Sequence, residues 1–273
     1  METLERHYIA IDSWDALFPA RTTFLLSHLH TDHANMPQSF LFPVYGSEAT
    51  RMLLAGTTLG PRVHSSLRPD CWYQTHHEQI PFKVYKTMHT AESIGFFFPS
   101  LSVLYMGDCV QSIIPTIDRP LTVIYDGLYE HVTRALPTPL QSCALIQQTL
   151  DQECPVLQLV HHGILSFIAA SCHTMFRLHS STPTLVQNAA RYLQLVDDNS
   201  PYLLVGRSYT DGPRIVPSSI WFMHQTTREP HRLHIDGEKL RVFCTLHARA
   251  ADISTWKAMH PYTYFEVLAT TSV

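Results

Sequence analysis

The chain has 273 residues, 45% of them hydrophobic and 15% charged, with a formal net charge of −4 when histidine is neutral. That is too apolar for a disordered chain, and long enough to bury a substantial core in one domain or two. There is no global basic signature for nucleic acid, although the 19 basic residues are mostly Arg, which suits bidentate phosphate contacts. The six Cys (Cys71, Cys109, Cys143, Cys154, Cys172 and Cys244) form no Cys-x-x-Cys pair and read as reduced thiols of an intracellular protein. Met1–Arg6 is acidic and no long apolar segment follows, so no secretory signal is expected. The longest apolar stretch, around Phe96 to Met106, is broken by Pro99 and Ser100 and is too short to span a bilayer.

In chain order, Tyr8–Ile11 and Phe24–Leu26 are short strand candidates. Ser47 can cap a helix running to Leu54, with Met52, Leu53 and Leu54 on its apolar face. Phe82–Tyr85 alternates as a half-buried strand. Ile94–Phe98 and Ser102–Tyr105 read as two strands joined at Pro99-Ser100. Thr122–Tyr125 is a β-branched run ending at Asp126. A helix is expected over Pro139–Leu150 and a buried strand over Val156–Val160, stopping at His161-His162-Gly163. Leu203–Val205 and Leu240–Phe243 read as strands, Ala251–Met259 as a helix stopped by Pro261, and Tyr264–Leu268 as a last strand. This alternation predicts an α/β layered architecture with polar residues at strand ends.

Residues 27–33, Ser-His-Leu-His-Thr-Asp-His, follow the apolar run Thr23–Leu26 directly. His28 and His30, one residue apart on extended chain, can converge on one ion. Asp32 and His33, where the chain turns into a helix, can face a second. Zinc takes imidazole nitrogen and carboxylate oxygen, and a catalytic site leaves a position for water. His89 follows the strand at Phe82, Asp108 ends the strand at Tyr105 after Gly107, and His247 ends the strand at Phe243. These complete seven ligands: His28, His30, His89 and Asp108 for one ion, Asp32, His33, Asp108 and His247 for the other. His161, 53 residues after Asp108, is the rival last ligand. The pattern predicts a metal-dependent hydrolase.

These residues resemble the metallo-β-lactamase superfamily and, within it, the β-CASP branch of DNA cross-link-repair nucleases. Ser27–His33 followed by Phe42–Thr50 resembles that branch's ligand motif and its "P-V-Y-C-S-E-I-T". Tyr105–Cys109 resembles "H-T-G-D-F", Val123–Tyr129 resembles "L-Y-L-D-T-T-Y", and Cys244–Ala250 resembles "Y-S-E-H-S-S". The resemblance implies a metallo-β-lactamase αββα sandwich with an inserted, reduced β-CASP cap. Residues 1–126 and 201–273 would form the sandwich and 127–200 the cap. It also implies two divalent ions, most simply zinc, with Mg²⁺ or Mn²⁺ at the second site. The implied activity is a nuclear phosphodiesterase acting on single-stranded DNA or duplex ends, a 5′-to-3′ exonuclease of interstrand cross-link or double-strand-break repair. Repair-complex proteins are implied as partners, and no membrane.

In this reading Asp32 orients the attacking water, Asp126 is a further catalytic residue, and Arg207 and Arg249 contact the DNA backbone. The chain departs from the branch where "H-C-P-G-S" becomes His89-Thr-Ala-Glu-Ser. It departs again where "T-Y-S-I-G-K-E" falls on Val160–Ser166 with neither Lys nor Glu, and where serines give way to Ala248 and Ala250. An RNA-processing β-CASP nuclease, a small-molecule hydrolase using His161, and a non-catalytic DNA-end-binding subunit are the alternatives.

Overall fold

The structure, a computed structural model, describes residues 2–15, 17–87, 89–108, 121–126, 139–152, 155–159, 162–171, 173–209, 211, 214, 216, 240–245 and 264–267. It divides into two compact units: Met1–Arg51, Pro61–Thr133 and Glu229–Val273 form the first, and Met52–Gly60 with Arg134–Arg228 the second. Each unit is mixed α/β in character or built on a parallel sheet, in agreement with the expected class.

The first unit opens with a short helix, α1 (Glu2–Arg6), and a four-stranded parallel sheet ordered β1 (Ile9–Ile11), β2 (Thr23–Leu25), β3 (Val44–Ser47), β4 (Val63–Leu67). β1 and β2 are buried throughout, as strands covered on both faces are. The one-turn helix α2 (Thr31–Ala34) lies between β2 and β3 in the chain, and α3 (Glu48–Leu53) between β3 and β4. Ser47 does cap α3: its Oγ accepts the Thr50 N–H at 3.0 Å.

The second sheet has seven strands in the order β14, β13, β9, β8, β7, β6, β5. β5 (Trp72–Gln74), β6 (Pro81–Lys86), β7 (Ile94–Phe98) and β8 (Val103–Asp108) pair antiparallel in succession. β9 (Leu121–Asp126), β13 (Leu240–Thr245) and β14 (Tyr264–Val267) continue it in parallel. The hairpin expected at Pro99-Ser100 is present, with a 3₁₀ turn at Pro99–Leu101 and Ser102 in the left-handed region at φ 51°. One apolar cluster draws Ile9, Ile11, Leu25 and Leu67 from the first sheet and Phe82, Val84, Phe96, Phe98, Tyr105 and Ile124 from the second. Truncating one of its phenylalanines to Ala would cost about 3–5 kcal/mol.

Registers decide which strand ends meet. Asp108 pairs with Asp126, and Asp126 with Thr245, so β8, β9 and β13 end side by side. The register of β8 on β9 shifts between Tyr105 and Gly107, and Gly107 lies at φ +53°. A Cβ there would stand 3.3 Å from the Tyr105 ring and 3.4 Å from Ser27 Oγ. Glycine permits this bulge, and the bulge re-aims Asp108.

The second unit contains α4 (Pro139–Gln152), β10 (Val156–Gln158), α5 (Gly163–Ser171), β11 (Arg177–Leu178), α6 (Thr184–Tyr192) and β12 (Leu203–Val205), with the parallel strand order β10, β12, β11. β10 is shorter than the expected Val156–Val160, whose last residue lies outside the described ones. The sequence reading passed over α5 and α6. α5 is apolar nearly all round, and α6 (N-cap Pro183) has no side-chain cap hydrogen bond, so a capping side chain announces neither. The helix expected over Ala251–Met259 lies outside the described residues. Among the described residues no helix is long and apolar enough to cross a membrane.

Candidate metal centre

The side chains of the cluster come from the end of β8 and from the segments that follow β2 and β6 in the first unit. β2 stops at Leu25 because the next polar residues find partners off the sheet. Ser27 N donates to Asp12 Oδ1 at 2.8 Å, and Ser27 Oγ to Asp12 Oδ2 at 2.5 Å. From there the chain presents His28, buried, and His30, then turns through α2, whose first turn carries Asp32 and His33. His89 arrives on the loop between β6 and β7, and Asp108 on the bulged end of β8.

The imidazoles crowd one carboxylate. Asp108 is 2% exposed. Its Oδ2 lies 3.7 Å from His28 Nε2, 3.9 Å from His30 Nδ1 and 3.4 Å from His89 Nε2, and its Oδ1 lies 3.2 Å from His33 Nε2. His30 Nδ1 and His89 Nε2 are 3.0 Å apart. One nitrogen or oxygen from each of His28, His30, His89 and Asp108 falls within 4.8 Å of all the others, and Asp12, His28 and His33 make a second, overlapping group. Three imidazoles and a carboxylate, all buried, are a donor set suited to a divalent ion such as zinc. The two groups offer room for two ions.

Hydrogen bonding sorts ligands from supports. Asp12 Oδ2 also accepts from Tyr105 OH and from His33 Nδ1, both at 2.8 Å. With three donors on that oxygen and the Ser27 N–H on the other, the Asp12 carboxylate is engaged by four protein hydrogen bonds. It therefore orients His33 from behind rather than holding an ion itself, the arrangement that carboxylate–histidine–metal sites use. Because Asp12 accepts the Nδ1–H hydrogen bond, His33 directs Nε2 at Asp108. His28 Nδ1, 3.0 Å from Ser27 Oγ, donates to it, since that hydroxyl gives its own proton to Asp12. His28 Nε2 is thereby also turned to the centre. Trp14 Nε1 fixes the backbone from outside, donating to the His33 carbonyl at 2.7 Å.

The field at this point is strongly negative. Burial disfavours a charged His33, but the carboxylates of Asp12 and Asp108 outweigh it and push its pKa from 6.5 up to about 11. A position that holds a proton so firmly is one that a divalent cation can take in its place.

Of the expected site residues, His28, His30, His33, His89 and Asp108 come together. Asp32 stands at the rim, its side chain 39% exposed and its Oδ2 3.6 Å from His33 Nε2. Asp126 ends β9 opposite Asp108 in the ladder. Arg207 follows β12 in the second unit, exposed, with its carbonyl accepting from Gln158 Nε2 at 3.0 Å. His161, His247 and Arg249 lie outside the described residues. The expected second set was Asp32, His33, Asp108 and His247, whereas the second group found among the described side chains contains Asp12 and His28 with His33. Asp12 was missed, although it closes the apolar run Ile9–Ile11 just as Asp108 closes β8, and that was signal enough.

Comparison of the chain with models of protein families, and with curated proteins, gave no match. The buried His-rich cluster and the α/β sheets fit a metallo-β-lactamase-like fold.

Proposed function

We propose that this chain is a metal-dependent hydrolase and, within that class, a phosphodiesterase that degrades DNA from a 5′ end in the repair of cross-links or double-strand breaks in the nucleus. The observation that carries the hydrolase reading is the buried convergence of His28, His30, His89 and Asp108, with His33 sharing the Asp108 carboxylate. Support for DNA as substrate comes from the motif resemblance at Ser27–His33, Phe42–Thr50, Tyr105–Cys109 and Cys244–Ala250. Two bound ions would polarise a phosphoryl oxygen and lower the pKa of an attacking water.

The chain's own groups do the rest. His28, His30, His89 and Asp108 would hold the first ion, while His33, Asp108, Asp32 and His247 would hold the second. Asp108 faces both groups and ties them together. Asp12 keeps the His33 proton on Nδ1, and Asp32, at the rim where solvent reaches it, would orient an attacking water. Zinc suits the first position by its donors, with zinc, Mg²⁺ or Mn²⁺ at the second.

The test is digestion of end-labelled single- and double-stranded DNA and RNA by purified protein of measured metal content, with and without chelator. Chelator-sensitive release of nucleotides from a DNA 5′ end is the expected result. Metal-loaded protein inert on every substrate would replace the enzyme with a DNA-end-binding subunit. Folded protein that takes up no metal would overturn the reading at its base.

A further inference from the structure

The loop that carries His89 is braced by its own polar side chains. Ser93 Oγ accepts from the backbone N–H groups of His89 (3.1 Å) and Thr90 (2.9 Å) and donates to the Thr90 carbonyl. From β6, Lys86 Nζ donates to the carbonyls of Thr90, at 3.1 Å, and Ala91. Glu92 does something different. It is 0% exposed, and its Oε1 accepts the backbone N–H of Leu29 at 3.2 Å. Leu29 is the residue between His28 and His30. One carboxylate therefore joins the segment that supplies two imidazoles to the loop that supplies the third.

A carboxylate buried to this degree is costly unless hydrogen bonds and positive charge compensate it. Lys86, whose pKa burial lowers while the Glu92 charge raises it, gives part of that compensation. An apolar side chain, or the glycine of the resembling "H-C-P-G-S" motif, would fill this place without the cost. What neither could do is accept the Leu29 N–H.

We infer that Glu92 is a positioning residue of the metal centre: through Leu29 it sets the spacing between the His28/His30 segment and His89. This rests on the reading of those three histidines as ligands. Three variants separate bond from charge. E92Q keeps an oxygen that can accept the Leu29 N–H and drops the charge. E92D keeps the charge but is one methylene too short to reach, and E92A removes both.

The measurements are zinc affinity by chelator competition, the visible spectrum of the Co²⁺-loaded protein, and thermal midpoints with and without metal. In E92D and E92A, zinc affinity should fall at least about tenfold and the Co²⁺ bands should shift, whereas E92Q should stay within about threefold of wild type. A residue needed only for folding would lower both midpoints equally and leave affinity in the folded protein unchanged. Wild-type affinity in folded E92D, or E92Q as weak as E92A, would overturn the inference. If E92A fails to fold, E92D against E92Q still decides it. A wild type that binds no metal overturns the metal reading itself, a result distinct from metal bound equally well by all variants.

Discussion

Asp12→Asn tests the centre most sharply, because it changes one atom of a residue that orients His33 rather than holding an ion. In the native protein Asp12 Oδ2 accepts from Ser27 Oγ, His33 Nδ1 and Tyr105 OH, and Oδ1 accepts from Ser27 N. Asparagine has one acceptor oxygen. If it keeps the three-donor corner, its NH₂ faces the Ser27 N–H, donor against donor. If it flips, three donors lose their acceptor. The better arrangement still gives up one charge-assisted hydrogen bond, about 1.5–3 kcal/mol, and weakens the rest. His33 would no longer be held in the tautomer that frees Nε2, and loss of such an outer partner lowers metal affinity by about 10–100-fold.

The pH dependence carries a second signature. In metal-free protein the raised pKa of His33 contributes stability that is fully present below its ordinary 6.5 and is lost as pH rises through about 11. Removing the Asp12 charge lowers the folded-state pKa, so that loss should begin at lower pH. Zinc competition and chemical unfolding between pH 6 and about pH 10 measure both. A folded Asp12→Asn protein with wild-type zinc affinity and an unmoved pH profile would refute the argument.

Gly107→Ala should destabilise the protein by about 1–2 kcal/mol, read from chemical unfolding, because φ +53° is unfavourable for a residue with Cβ and the methyl would press on Tyr105 and Ser27. Its zinc affinity should drop as well, since the same bulge aims Asp108. Zinc uptake at neutral pH should release a proton from His33, visible in calorimetry as a dependence of the binding heat on the ionisation enthalpy of the buffer; no buffer dependence would contradict the raised pKa. His247→Ala should impair occupancy of the second position and hydrolysis far more than His161→Ala. The opposite ranking in folded variants would transfer the last-ligand role to His161.

What could be read from the residues alone was the part of the site that is local in sequence. His28 and His30 sit one residue apart on extended chain, and Asp108 follows an apolar run and a glycine. Such groupings announce themselves because polar residues at the end of a buried strand need partners. The supports are a different matter. Asp12, Trp14, Tyr105 and Glu92 bond to partners 15 to 93 residues away, and apart from Asp12 at the end of its apolar run nothing in their own neighbourhoods separates them from ordinary turn or core residues. Only the topology brings them in: β1 beside β2 sets Asp12 against Ser27, and the packing of the second sheet on the first carries the Tyr105 hydroxyl of β8 to the same carboxylate. The same division holds for the elements. β7 and β8 were legible because a Pro-Ser turn separates two apolar runs, whereas β5, with its outer residues exposed, is a strand chiefly because β6 pairs with it. Ligand identity is thus written locally, while the protonation and aim of each ligand are written in the topology. A substitution at Asp12 or Glu92 can therefore disable the centre while every residue of the recognisable motif remains in place.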